Sequence, residues 1–130
     1  MSSPVPGVAS SLLINDMVLS QTNLAGSGEP NLHPAVDRFL RFLPVQLREP
    51  FMGYCAESAL VSDQLWRLDE ERPGGSHVTL EAAAPHFTNA VILSRLIREP
   101  GDPEHGQPTL PCRSCSALLD ELGVRIMGRD

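Results

Sequence analysis

Two short motifs constrain this chain more than any other feature. Cys-Ala-Glu occupies 55–57 and Pro-Cys-Arg-Ser-Cys occupies 111–115, and together they hold all three cysteines of the 130 residues. Each motif opens a stretch with helical spacing of apolar residues. Cys55, Leu60, Val61, Leu65 and Leu68 predict a helix of about fourteen residues that ends in the charged run Asp69-Glu70-Glu71-Arg72. Cys115, Leu118, Leu119 and Leu122 share one face of a second helix, with Pro111 at its start and Gly123 just past its end. A fold that brings the sulfurs together must set two helix N-termini side by side.

Three is an odd number of cysteines, so a fully paired disulfide scaffold is excluded. Cys112 and Cys115 at i and i+3 project from one helix face and can share an ion. Alone, such a pair fits a redox centre, half of a structural zinc site, or nothing at all. Cys55 adds a third sulfur at another helix start, where the dipole and free amides also favour thiolate. Three thiolates make a zinc site in which the fourth position belongs either to another protein ligand or to water. Glu57, on the first turn after Cys55, is placed to lean toward that metal without binding it. There it would take a proton from a zinc-activated water and pass it to a leaving amine. The plainer account of Glu57 alone is an acid that complements a helix N-terminus.

The remaining elements follow from local signals. Two short apolar runs on either side of Asn15-Asp16 predict a β-hairpin. Val36, Phe39, Leu40 and Leu43 predict a helix that begins at Pro34 and ends or kinks at Pro44. Thr79 is a candidate cap for a short helix limited by Pro85. The β-branched run in Asn-Ala-Val-Ile-Leu-Ser-Arg-Leu-Ile, 89–97, predicts a buried strand. A polar loop with three prolines follows, then the second motif helix and a last short strand at 124–128. A strand, a crossover helix and a strand imply parallel neighbours with helices packed on a sheet. Residues 1–9 are expected to be a flexible leader, and 10–130 one domain.

The pattern Cys-x-Glu followed by Pro-Cys-x-x-Cys resembles the zinc-dependent cytidine deaminase superfamily. More closely, Leu-His-Pro-Ala-Val-Asp-Arg-Phe-Leu, Phe-Met-Gly-Tyr-Cys-Ala-Glu-Ser-Ala-Leu, Gly-Asp-Pro-Glu-His-Gly and Pro-Cys-Arg-Ser-Cys-Ser-Ala-Leu-Leu, all within about residues 32–127, resemble the YwqJ-like deaminases. The resemblance implies a cytidine deaminase-like three-layer α/β fold, with a mixed sheet of about four strands and helices on both faces. It implies zinc held by Cys55, Cys112 and Cys115, with Glu57 moving protons. The substrate it implies is a nucleobase, with cytosine favoured, carried by a nucleotide or a single-stranded nucleic acid. Family members also occur as bacterial toxin domains beside an immunity protein, which would be a partner. By analogy, Asn23 would contact the sugar, and the Ala56 backbone and the carbonyl near Pro111 would orient the exocyclic amine. His105 would line the pocket, Tyr54 would stack on a base, and Arg95, Arg98 or Arg113 would meet phosphate. Only seven residues follow Gly123, so a further strand of the superfamily would be absent or supplied by a partner, leaving a more open site.

Charge bears on the substrate. The net charge is −6, and every basic residue is arginine. No global field draws nucleic acid in, so any phosphate binding must rest on a few local guanidinium groups. The sequence holds no apolar run of membrane-spanning length, and its start lacks the pattern of a signal peptide, so cytoplasmic residence is expected. Three other functions fit parts of the sequence: a structural zinc clip with His105 as fourth ligand, a nucleoside-salvage cytidine deaminase, and a Cys-x-x-Cys redox protein.

Overall fold

The turn at Asn15-Asp16 sets up the sheet. Both residues have positive φ, 49° and 66°, which is the backbone of a type I′ hairpin and suits Asn and Asp. It joins β1 (Val8–Ile14) to β2 (Met17–Thr22) in antiparallel register, with Leu12 opposite Leu19. A computed structural model of the chain describes residues 7–22, 31–48 and 55–128. Most of the expected leader lies outside these residues, and its last two, Val8 and Ala9, belong to β1.

On its other edge β1 pairs antiparallel with β3 (Val91–Leu96), placing Ser10 opposite Ser94 and Leu12 opposite Ile92. The far edge of β3 carries two short strands. β4 (Pro108–Thr109) runs antiparallel beside Ser94 and Arg95, and β5 (Arg125–Ile126) runs parallel beside Val91 and Ile92. The parallel pair with its helical crossover is the one expected from the sequence. β4 was not expected, because two residues inside a proline-rich loop carry no alternation to read.

Helix α1 (Pro34–Arg41) starts at its proline, with His33 as N-cap. Pro44 ends it early: it disfavours helical backbone at Leu43, so Phe42 is already the C-cap. Helix α2 (Ala56–Glu70) follows, then α3 (Leu80–Ala83), capped by Thr79 and continued through Pro85 as a 3-10 turn to Phe87. Helix α4 (Arg113–Leu122) ends at Gly123, whose φ of 76° is the left-handed cap.

Alternation along the strands buries one face of the sheet. Ser10, Leu12, Ile14, Ile92 and Ser94 are buried there, against Leu60, Leu65, Leu118 and Leu119 from α2 and α4. On the opposite face none of Ala9, Ser11, Leu13, Val18, Val91, Leu93 or Arg95 is buried, and Leu13 and Val18 are 47% and 66% exposed. The expected α/β architecture is present, with its described helices on one face of the sheet; a second helical layer is not among the described residues. Among the described residues no helix is long and apolar enough to cross a membrane.

A half-buried carboxylate ties two segments to the far end of α2. Asp69 Oδ2 accepts from His33 Nε2 and His77 Nδ1, each at 2.7 Å, and Oδ1 accepts from the Val78 amide at 2.7 Å. Trp66 packs edge-on to His33 and donates its indole N–H to the Asn31 carbonyl at 3.1 Å. The helical pattern suggests a core position for Trp66. Instead it is half-buried on the rim, covering the histidines. Burial opposes ionisation of Asp69, but the hydrogen bonds from His77, Val78 and His33 outweigh it and bring the group from 3.8 down to about 2.

A folded pKa below the unfolded one stabilises the fold above the unfolded value, and that contribution is lost as pH falls through the folded value. Asp69→Asn is therefore expected to cost about 2 kcal/mol at neutral pH. In urea titrations at a series of pH values, the gap between wild type and variant should narrow as pH drops from 3.8 toward 2.

Candidate active site

Cys55 and Cys112 are the N-caps of α2 and α4. Their carbonyls accept the first helical hydrogen bonds, from Ala59 at 3.2 Å and Ser116 at 2.8 Å. The sequence puts Pro111 at the helix start, but the helix begins two residues later. This makes Cys112 the cap, and its Sγ accepts the Cys115 amide at 3.4 Å. Serine hydroxyls fix the surrounding backbone: Ser58 donates to the Cys55 carbonyl, Ser116 to the Pro111 carbonyl, and Ser114 to the Leu47 carbonyl.

The result is that two helix N-termini aim at one point. The three sulfurs lie within 4.8 Å of one another, and Cys55 Sγ is 3.6 Å from Cys112 Sγ. A disulfide would need about 2.05 Å. Three thiolates on a tetrahedral zinc, with Zn–S near 2.3 Å, stand about 3.8 Å apart. The cluster could hold a metal ion, and both its spacing and its soft donors fit zinc.

The thiols also show what charge the site wants. Cys112 is held far below the ordinary thiol range by hydrogen bonds from Cys115 and Cys55 and by the amides of Cys115 and Ser114. Cys115 and Cys55 are pushed up, first by sharing hydrogen bonds with Cys112 and further by burial. With no cation, the three groups favour one thiolate flanked by two thiols. A divalent cation removes that conflict by letting all three ionise.

Glu57 is 3% exposed on the first turn of α2. Its Oε2 accepts from the Ser94 hydroxyl on β3 at 2.7 Å. Neither Glu57 nor His105 belongs to the group of ligand atoms around the cysteines. Glu57 is thus close enough for its charge to act on Cys55 yet is not a fourth ligand. The His105 ring turns back on its own loop, where Nδ1 accepts the Arg98 amide at 2.9 Å.

The other expected residues are scattered more than the sequence suggests. Ala56 is fully buried at the first position of α2, and Arg113 is exposed at the first position of α4. Arg95 and Ser94 are adjacent in a strand, so they point to opposite faces, and Ser94 takes the site face. Arg95 donates to the Gly106 carbonyl at 2.7 Å, and Arg98 donates to the Gly7 and Ile97 carbonyls. These two guanidinium groups hold the 97–107 loop against the sheet. Asn23 and Tyr54 lie outside the described residues.

A second group, His33, Asp69 and His77, also brings its ligand atoms within 4.8 Å. Its chemistry argues against a metal. His33 Nδ1 accepts the Ala35 amide at 3.0 Å, so Nε2 must carry the ring proton that it gives to Asp69. A metal on Nε2 would move that proton to Nδ1, against the Ala35 N–H. A cavity of about 750 Å³ between α1 and residues 77–80 adjoins this cluster and none of the cysteines. Volume and chemistry point to different places, and the chemistry is the more specific signal.

A model of the YwqJ-like deaminase family matches residues 5–124. No curated protein and no solved structure matches the chain.

Purified protein is expected to carry about one zinc per chain, as a three-thiolate site predicts. Cys112→Ala should lose the metal and, because site and fold form together, on the order of several kcal/mol of stability. Metal analysis and thermal unfolding before and after chelation would check both, and full stability in a zinc-free preparation would contradict the assignment.

Proposed function

The chain belongs to the YwqJ-like deaminase family, and from that premise we propose that it is a zinc-dependent hydrolase that removes the exocyclic amine of a nucleobase. Cytosine in a nucleotide or a single-stranded nucleic acid is the favoured substrate. The observation that carries this reading is the buried Glu57 carboxylate two residues after Cys55, beside three clustered thiols and outside their ligand group.

Cys55, Cys112 and Cys115 would hold the zinc, which when bound supplies a Lewis acid able to activate water near neutral pH. Water and the amine-bearing carbon exchange partners: a C–O bond forms, the C–N bond breaks, and ammonia leaves. Glu57 takes the first proton of the attacking water and gives it to the ring nitrogen, then takes the second from the newly formed hydroxyl and delivers it to the departing amine. The Ala56 backbone and the Pro111 carbonyl would orient the amine. That carbonyl already accepts the Ser116 hydroxyl at 3.2 Å and keeps one lone pair. His105 has only Nε2 left for substrate. Asn23 would meet the sugar and Arg113 a phosphate; Arg95 and Arg98 are committed to the loop. A bacterial toxin role with an immunity protein as partner belongs to the same proposal and rests on family likeness alone.

A structural zinc clip closed by His105 is less favoured, since the ring is engaged by Arg98. Two experiments test the preferred reading. Glu57→Ala should keep its zinc and lose at least about 100-fold in ammonia release. Wild-type turnover by that variant on a verified substrate would contradict the mechanism. Rates on cytidine, CMP and a short single-stranded oligonucleotide, at two salt levels, should rank the phosphorylated substrates first, with a shallow salt dependence. Fastest turnover of cytidine, insensitive to salt, would favour nucleoside salvage.

A further inference from the structure

Two serines lie where a sheet core normally has none. Ser10 and Ser94 face each other across the central strands β1 and β3, 1% and 2% exposed, next to the Leu12–Ile92 pair on the same face. Buried hydroxyls are costly unless hydrogen-bonded, and small apolar side chains would fill these positions without that cost. The serines bond to each other at 2.7 Å, and Ser94 bonds to Glu57 Oε2 at 2.7 Å.

A hydroxyl has one proton. Ser94 gives its proton to the carboxylate, so Ser10 must donate to Ser94, and the chain runs Ser10 to Ser94 to Glu57. We propose that this pair is a positioning device for Glu57. It anchors Oε2 and leaves Oε1 as the oxygen that carries the proton between water and substrate. The anchor survives the reaction: when Oε1 is protonated, Oε2 is the carbonyl oxygen and still accepts from Ser94. Because Ser94 sits on β3, which pairs with β1, β4 and β5, Glu57 is referenced to a strand held on both edges. The catalytic part of this proposal rests on the deaminase reading; the anchoring part does not.

The test uses Ser94→Ala, Ser94→Thr, Ser10→Ala and the double alanine variant, each with zinc content, Tm, kcat and KM, and crystal structures. Ser94→Ala should keep its zinc and KM while kcat falls roughly 10- to 100-fold, the effect of a displaced catalytic group. Ser94→Thr keeps the hydroxyl and should restore kcat. Ser10→Ala should show a smaller loss. The double variant leaves no orphan hydroxyl, so its Tm should recover toward wild type while kcat stays low. A purely structural serine pair predicts that kcat recovers with Tm, and that result would overturn the proposal. The Glu57 side chain should hold one rotamer in wild type and Ser94→Thr, and turn or split in Ser94→Ala. An unmoved Glu57 in Ser94→Ala would overturn the anchoring. If wild type releases no ammonia from any base, the deaminase reading fails, and the rotamer result alone decides whether Glu57 is anchored.

Discussion

The site depends on two helix dipoles pointed at each other. The N-termini of α2 and α4 carry partial positive charge, and their caps, Cys55 and Cys112, meet at 3.6 Å. Two positive ends repel unless negative charge lies between them. Sulfur supplies it, and hydrogen bonds from the Cys115 and Cys55 thiols, with the amides of Cys115 and Ser114, draw Cys112 toward thiolate. Adding Cys115 gives a third donor but not a third comfortable charge, since its own ionisation is suppressed by its partners and by burial. A divalent cation is the economical solution to that geometry, and an acid placed just outside the ligand group gives it something to do.

The rest of the fold holds the two helix starts in place. β3 is the pivot: it pairs with β1, β4 and β5, and it presents Ser94 to Glu57 from below. The end of α2 remote from the cysteines is pinned by Asp69, which gathers His33 from the start of α1 and His77 and Val78 from the approach to α3. α2 is thus fixed at both ends by polar contacts, and along its length by Leu60, Val61 and Leu65 in the core. Such a helix cannot rotate without breaking one set or the other, so Glu57 keeps its aim.

How much of this the sequence reveals depends on how local each signal is. The Asn15-Asp16 turn, the Pro34 and Gly123 helix ends and the Thr79 cap are set by a few neighbouring residues, and all are where the pattern puts them. The cysteine cluster spans distant segments yet is legible, because thiol chemistry leaves few other uses for three cysteines in such motifs. The Ser10–Ser94 pair is not legible, since it depends on strand register between residues 84 positions apart. The same holds for Asp69 and its histidines. Charge at Arg95 and Arg98 shows in the sequence, but the carbonyls that these groups meet in the fold do not. Cys112 as cap in place of Pro111 is a shift of a residue or two at a helix boundary, where local signals are least sharp.

The central claim is that the three thiols hold a zinc on which base deamination depends. The most direct measurement follows ammonia release and bound zinc in one preparation of the intact chain, through chelation and stepwise return of zinc, on a substrate that the untreated protein turns over. The account predicts that activity falls with the metal and returns in proportion to occupancy, reaching full recovery at about one zinc per chain. Ammonia release that persists after the zinc has gone would contradict it.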